Sequence, residues 1–322
     1  MRDTFRSTVP YSGYWLPVTI HPPYLCLLLI MYHLVYAFLY LLSLLPLGFL
    51  YLLSDLAYVI IFYIIGYRKA VVFNNLAIAF PEKSEKEKKV IAKKFYKNFT
   101  DSFIETIKLF SASNEFIKKH FTGDFSVFDT LYEKGSKCQI HSGHYFNWEY
   151  ANLSIPLHLK QKLLTVYMPI SNPAFDKSFI KMRAKTGAVL LPATQLRSAI
   201  LPFRNEQYVL ALVADQNPGN IHNNYWLPFF GRPTPFLKAP ESGARRGNIP
   251  VVFCHFYKIK RGYYKISFTL AEENPAQTVA GEITKKYVAY LEDAIRQHPD
   301  MWLWSHRRWK HEWREEYGQI LS

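Results

Sequence analysis

The chain has 322 residues and a formal net charge of +14, from 39 lysines and arginines against 25 aspartates and glutamates. Its three cysteines lie far apart, so neither a disulfide framework nor a zinc site is indicated. The basic excess favours an anionic partner, such as a phospholipid surface, a phosphorylated lipid or an acidic carrier protein, and the sequence carries no nucleic-acid-binding motif.

Residues 1–23 are mixed in character, contain prolines and show no periodicity. This pattern predicts either a disordered extension or a translation start assigned too early. Met31 is the alternative start.

Two apolar runs occupy residues 24–66. The first, from Tyr24 to about Leu45, carries no formal charge and is long enough for a transmembrane helix. The second, Leu47 to Gly66, contains Asp55 and many aromatic residues, which favours a helix in the interface plane or packed on the catalytic domain, with a second span as the alternative.

Lysines and arginines are frequent after the second apolar run, beginning at Arg68 and Lys69. Under the positive-inside rule they predict a single-pass protein whose large domain, residues 67–322, is cytoplasmic. Apolar periodicity in that domain predicts a helix from about Ser84 to Phe110, most of whose lysines are expected to form a solvated face.

Beyond residue 120 the chain alternates short β-type runs with helical patterns, which predicts an α/β fold with a mixed central sheet flanked by helices. The expected strands are 137–141, 162–167, 188–192, 207–214, 249–257 and 262–270. The expected helices are near 146–154, 173–186, 194–204 and 281–297.

His144 and Glu149 lie five positions apart where the first strand passes into a helix. On one continuous helix they would not face each other, so His144 is expected in the turn after Ser142-Gly143 and Glu149 in the first helical turns. A carboxylate bonded to one ring nitrogen would make the other a base for a hydroxyl group. The alternative is a structural histidine near a helix start.

Two further polar positions come near strand ends. Asp215 follows the run that ends at Ala214, and the alternative is a turn-forming aspartate. Arg183 lies on a helix with other basic residues, and the alternative is a surface cation. The sequence shows neither a G-x-S-x-G nucleophile motif nor tight metal-ligand spacing, so no acyl-enzyme and no catalytic metal are expected.

Five motifs in order resemble the late acyltransferases of lipid A biosynthesis, the lauroyl/myristoyl acyltransferase family. The resemblance covers nearly all of the chain from about Met31. The motifs are Asn74 to Pro81 ("NL..AFP", after Gly66-Tyr67-Arg68), the H-x4-[DE] pair His144 and Glu149, Asp215-Gln216, Pro228 to Gly231 ("FFG") and Pro299 to Lys310 ("P..W.W.HRRW").

The resemblance implies a glycerolphosphate-acyltransferase-like fold and a bacterial inner-membrane enzyme. Such an enzyme moves a fatty acyl chain from acyl carrier protein to a hydroxyl of an anionic glycolipid, without a cofactor. It implies that His144 is the general base and Glu149 its partner. It also suggests substrate-binding roles for Arg183, Asp215, Gln216, Arg307 and Arg308, whereas Trp302, Trp304 and Trp309 are interpreted mainly as packing residues.

The sequence constrains the acceptor lipid least, because related enzymes that acylate other lipids share the same H-x4-[DE] pair. A lipid A precursor is the first expectation. The alternatives are an ornithine- or glycine-type lipid, a lysophospholipid or a glycosylated phosphoinositide. A catalytically silent, membrane-bound lipid-binding protein is the remaining alternative, and it would have no need of a base with its carboxylate.

Overall fold

Two apolar helices precede the sheet. The structure, a computed structural model, describes residues 22–321, with side chains from residue 28 onward. Helix α1 spans Pro22–Ser43, and helix α2 spans Leu47–Val59 and continues as a π-helical segment, Ile60–Ile65. The extension predicted over residues 1–23 lies outside the described residues, apart from its last two positions in α1.

Among the described residues one helix, Leu47–Ile65, is long and apolar enough to cross a membrane, and Leu28–Ser43 is a shorter apolar helix. The run expected in the membrane interface therefore meets the criterion for a span, and the transmembrane position of α1 stays a prediction. Both helices carry exposed apolar side chains, including Leu34, Phe38 and Leu41 on α1 and Leu52, Leu56 and Ile64 on α2.

Helices α3 (Lys69–Ala79) and α4 (Glu85–Leu109) lead into the sheet. Ser84 caps α4: its side chain accepts from the Glu87 N–H, and the Glu87 carboxylate accepts from the Ser84 N–H. This reciprocal cap stabilises a helix start by about 1 kcal/mol. The long helix predicted from Ser84 is confirmed.

The central sheet has seven strands. In spatial order they are β1 (Phe121–Gly123), β9 (Tyr263–Glu272), β8 (Val251–Lys260), β2 (Cys138–Ser142), β5 (Tyr208–Val213), β3 (Lys162–Tyr167) and β4 (Val189–Pro192). The β8–β9 pair is antiparallel and the other neighbours are parallel. The predicted α/β class with a mixed central sheet is confirmed.

The remaining elements flank this sheet. They are helices α5 (Asn114–His120), α6 (Ser126–Glu133), α7 (Trp148–Ser154), α8 (Pro173–Ala184), α9 (Leu196–Ala199), α10 (Ala239–Gly247) and α11 (Glu282–Gln297), and a separate hairpin of β6 (Asn224–Phe229) and β7 (Arg232–Leu237).

Two regions differ from the sequence-based expectation because of proline. The helix expected over 194–204 is reduced to α9 and two short 3₁₀ turns, since Pro202 cannot donate a helical hydrogen bond. The β6–β7 hairpin was not predicted because its strands contain prolines, which normally argue against a strand. Phe230 and Gly231 join its strands with positive φ angles, as a tight hairpin turn requires.

Parallel pairing of β2 with β5 sets the position of the polar residues that follow them. Ser142, the last residue of β2, is in register with Val213, the last residue of β5. The carboxyl ends of both strands therefore lie at one edge of the sheet. His144 and Asp215 each come two residues after these ends.

Candidate active site

His144 is bound to Asp215 across the β2 and β5 ends. The backbone N–H of His144 donates to Asp215 Oδ2 at 2.8 Å, and its ring Nδ1 forms a short hydrogen bond with Asp215 Oδ1. One carboxylate thus holds both the main chain and the side chain of His144. The ring orientation is fixed as a result.

Asp215 is buried, and a third donor, Trp302 Nε1, binds its Oδ2 at 2.7 Å. Burial by itself would raise the pKa of Asp215, but the charge and hydrogen bonds of His144 and the Trp302 N–H together lower it to about 2. An ionised carboxylate can only accept, so the proton between the two groups belongs to His144 Nδ1. In the neutral ring, Nε2 then has a free lone pair.

Gln216 covers that lone pair. Its side-chain Nε2 lies 2.8 Å from His144 Nε2, and the residue is exposed. A hydroxyl group that replaced the Gln216 amide would meet the basic nitrogen at hydrogen-bond distance.

Gly143 allows the close approach of His144 to Asp215. A Cβ at this position would lie 2.8 Å from Leu291 Cδ1 and 3.2 Å from Asp215 Oδ2. The sequence analysis places His144 in the turn after Ser142-Gly143. The structure shows that glycine is needed here for space.

Glu149 has a different partner from the one expected. Its carboxylate binds Arg183, with Arg183 Nε at 2.9 Å from Oε2 and Nη2 at 2.5 Å from Oε1. Trp148 Nε1 also donates to Glu149 Oε1, at 3.1 Å. The expectation that Glu149 orients the His144 ring is therefore wrong, and Asp215 does so instead.

The path of the chain between His144 and Glu149 explains this difference. Asn147 has a left-handed backbone, with φ of 69°, and α7 begins immediately after it. Glu149 lies in the first turn of α7, as expected, but there it is buried beside α8, which carries Arg183. The two side chains form a buried ion pair, and this pair raises the pKa of Arg183 although burial opposes it.

The motifs around residues 74–81, 228–231 and 299–310 meet in one aromatic cluster behind Asp215. Phe80 packs on Phe230 and Trp304, and Phe229 packs on Trp302. The cluster fixes the ring of Trp302 and hence the N–H that reaches Asp215. The packing interpretation of the tryptophans agrees with these contacts, but the role of Trp302 in holding Asp215 was missed, because 87 residues separate the two in the chain.

Arg307 and Arg308 lie in different environments. Arg307 is exposed, and its carbonyl accepts from Asn217 Nδ2 at 2.5 Å. Arg308 is fully buried, donates to Asn217 Oδ1 at 2.9 Å and to Pro235 O at 2.8 Å, and has its pKa lowered by burial to about 10. Arg308 is therefore enclosed by protein, which is not the environment expected of a substrate ligand, and it anchors the loop after Asp215.

An apolar cavity of about 70 Å³ adjoins the site. Its wall includes Trp148, whose ring lies 6.2 Å from that of His144. The other lining residues come from β2, β3, β5, β8 and the region of α7, and include Ile140, Ala151, Leu163, Ala211 and Phe256. An apolar chain could enter here beside the histidine.

Within the described residues, no group of three or more histidine, cysteine, aspartate and glutamate side chains could hold a metal ion. The polar centre of the site consists of His144 with Asp215 and Glu149 with Arg183. This arrangement suits proton transfer at His144 Nε2 and anion binding near Arg183.

A family model described as bacterial lipid A biosynthesis acyltransferase matches residues 21–311. No curated protein matches the chain in sequence. The matched range includes α2, the whole sheet and every residue of the site.

Proposed function

Because the chain belongs to the bacterial lipid A biosynthesis acyltransferases, we propose that it moves a fatty acyl chain from acyl carrier protein to a hydroxyl of a lipid A precursor. The observation that carries this proposal is the His144–Asp215 pair. In the neutral ring it leaves Nε2 free to accept a proton, and Trp148, which lines the apolar cavity, lies beside that ring. A base and an apolar groove are what transfer of an acyl chain to a hydroxyl requires.

In the proposed reaction, His144 Nε2 takes the proton of the acceptor hydroxyl. The hydroxyl oxygen attacks the thioester carbonyl, the new C–O bond forms and the C–S bond breaks. The proton on His144 then passes to the leaving thiolate. Asp215 stays ionised throughout and stabilises the charged imidazole, which is the role of the carboxylate in a catalytic triad.

Glu149 acts through Arg183. The three hydrogen bonds from Nε and Nη2 fix the plane of the guanidinium, and Nη1 is not used by Glu149. We assign the remaining N–H groups to the carbonyl oxygen, which becomes negative during attack, or to a phosphate of the acceptor. Arg307, which is exposed, is a second candidate for the acceptor phosphate.

The apolar cavity is proposed as the acyl chain site. Its wall passes Trp148 beside His144 and continues between β2, β5 and α7. A thioester with its carbonyl at His144 could extend its hydrocarbon chain in this direction. Burial of each methylene contributes about 0.8 kcal/mol, so the length of the cavity would select the donor.

Exposed lysines on α4, including Lys86, Lys89, Lys94 and Lys97, supply charge for docking an acidic carrier protein or for contact with anionic lipid. The exposed apolar faces of α1 and α2 support a membrane position. We propose that the protein lies at the bacterial inner membrane with α1 as its single span, α2 in the interface and the sheet on the cytoplasmic side.

The test is transfer by the purified protein, measured by mass spectrometry with acyl carrier protein donors and a lipid A precursor. His144→Ala is expected to lower the rate at least 100-fold, since a positioned base contributes about that much or more. His222→Ala, at an exposed histidine outside the site, is the matched control.

The same two variants, each as the only copy in cells, identify the acceptor. Loss of one acyl chain from lipid A in His144→Ala cells supports the proposal. Intact lipid A with accumulation of another lipid lacking one acyl chain would show that the acceptor is wrong. Full activity of purified His144→Ala would show that the base lies elsewhere.

A further inference from the structure

A fully buried carboxylate, Glu105 on α4, lies outside the site and is bound by three donors. Tyr51 Oη donates to its Oε1 at 2.7 Å, and Tyr264 Oη and Asn147 Nδ2 donate to its Oε2 at 2.7 Å and 2.5 Å. These donors come from α2, from β9 and from the turn before α7. Glu105 thus joins three parts of the molecule at one point.

Burial of this carboxylate carries a desolvation cost in free energy. Burial raises the pKa of Glu105 to about 7, although the hydrogen bonds from Tyr51, Tyr264 and Asn147 act in the opposite direction. An apolar side chain would fill the same space without a desolvation cost. A carboxylate here binds three donors from different parts of the molecule, which an apolar residue could not do.

The Asn147 bond acts on the turn that carries the site. Asn147 lies between His144 and Glu149 and has a left-handed backbone, a conformation that asparagine adopts more readily than most residues with a Cβ. The other side of this turn is held by main-chain bonds, from Phe146 N to Met301 O and from Leu303 N to His144 O. Glu105 supplies the side-chain bond that holds Asn147 in place.

The Tyr51 bond acts on α2. Ser54 and Asp55, on the same face of the helix as Tyr51, also bind polar groups: Ser54 Oγ donates to Asp101 at 2.7 Å, and Asp55 accepts from Arg261 at 2.8 Å. At Gly262, a Cβ would collide with Tyr51 Oη. The β8–β9 turn and α4 therefore enclose one face of α2 and set its rotation, while its opposite face is apolar and exposed.

We propose that Glu105 is a positioning residue that couples α2 to the site, through Tyr51 on one side and Asn147 on the other. The inference rests on the proposed function, because it concerns the same site. When α2 is packed correctly, Tyr51 binds Glu105. Glu105 in turn binds Asn147 and fixes the turn that positions His144 and Glu149.

Three variants test this coupling in the full-length protein, reconstituted in vesicles of phosphatidylethanolamine and phosphatidylglycerol. Glu105→Gln changes the carboxylate, and Tyr51→Phe removes only the link to α2. Glu241→Gln is the matched control, because Glu241 is also buried and accepts three hydrogen bonds, from Gly281 and Thr284.

Two readouts are needed. The first is kcat and KM for the acyl donor, where Glu105→Gln is expected to lower kcat by about tenfold or more with KM unchanged, since small displacements of reacting groups cost this much. Tyr51→Phe should lower kcat in the same direction by less. The second is amide hydrogen exchange of the peptide covering residues 143–149, which should speed up in both variants and not in Glu241→Gln.

The outcomes separate the coupling from the proposed function. Unchanged exchange of 143–149 in Glu105→Gln would overturn the coupling, whatever the activity. Equal losses of kcat in Glu105→Gln and Glu241→Gln would also overturn it, since they would reflect general destabilisation. If the wild-type protein transfers no acyl chain but exchange responds as expected, the coupling stands and the proposed function fails.

Discussion

The carboxylate of Asp215 binds His144 twice, at the ring Nδ1 and at the backbone N–H. Since these bonds cross between two parallel strands, the pair depends on the sheet and not on local sequence. The carboxylate of the H-x4-[DE] motif, Glu149, serves a cation instead. The site therefore has two carboxylates with separate partners.

Asp215→Asn should remove most of the activity. The amide would keep the shape of the side chain but lose the negative charge that stabilises the protonated ring, so kcat is expected to fall on the order of 10³-fold. Steady-state kinetics measure this. The exposed Asp293→Asn on α11 is the control and should behave as wild type; a similar kcat in both variants would remove Asp215 from the mechanism.

Trp302→Phe tests the third hydrogen bond of Asp215. Phenylalanine keeps most of the packing but lacks the N–H, and a bond to a charged group contributes about 1.5–3 kcal/mol. We expect kcat to fall by about tenfold or more. Trp304→Phe is the control, because Trp304 Nε1 donates to the Pro299 carbonyl and not to Asp215. Equal effects of the two changes would mean that packing alone is responsible.

The Glu149–Arg183 pair can be tested with a double-mutant cycle of Glu149→Gln and Arg183→Gln. Each single change leaves one buried charge without its partner and should lower the free energy of unfolding by about 3–5 kcal/mol. The double variant should recover part of that stability but none of the activity. Thermal unfolding and kinetics are measured on all four proteins. Recovery of activity in the double variant would show that the pair serves only folding.

Ala211→Leu tests the cavity. Ala211 lines it from β5, and a larger side chain there shortens the space for an acyl chain. We expect transfer from long-chain donors to fall and the preference to move to shorter chains, measured with a series of acyl carrier protein thioesters. Ala271→Leu on β9, also at a partly buried strand alanine, is the control. An unchanged chain-length profile in Ala211→Leu would place the acyl chain elsewhere.

The stability of the fold should fall in mild acid because of buried histidines. Burial lowers the pKa of His141 to about 3, and the pKa values of His255 and His306 are lowered to about 4, chiefly by burial. Between about pH 6.5 and 4 the unfolded state therefore binds more protons than the folded state. This stabilising contribution is complete above about pH 6.5 and is lost as the pH falls.

Glu105 changes the pH dependence of stability in the direction opposite to the buried histidines. Its raised pKa, about 7, means that the folded state binds the extra proton between about pH 4.5 and 7, so its contribution to stability is complete below this range and is lost as the pH rises.

His141→Gln should flatten the acid loss of stability by up to about 1.4 kcal/mol per pH unit. Unfolding temperatures measured from pH 4 to 7 check this, and identical slopes in wild type and variant would contradict it.

Much of the fold could be predicted from patterns within single segments. The runs around 137–141 and 162–167 became β2 and β3, and the helix predicted from Ser84 became α4. The hairpin β6–β7 could not be predicted, because its prolines oppose the strand pattern and only its packing on Trp302 and Trp309 accounts for it. Local propensity is informative where tertiary contacts agree with it.

The sequence by itself determined the family and the residue types of the site, since the five ordered motifs include His144, Glu149 and Asp215, and Arg183 was identified on a separate helix. Only the tertiary structure decided which of them bind each other. Asp215 reaches His144 because β2 and β5 are parallel neighbours whose ends share one edge, and Glu149 turns to Arg183 because Asn147 redirects the chain. Spacing along a chain constrains partners within one element, whereas pairing between elements depends on how they pack.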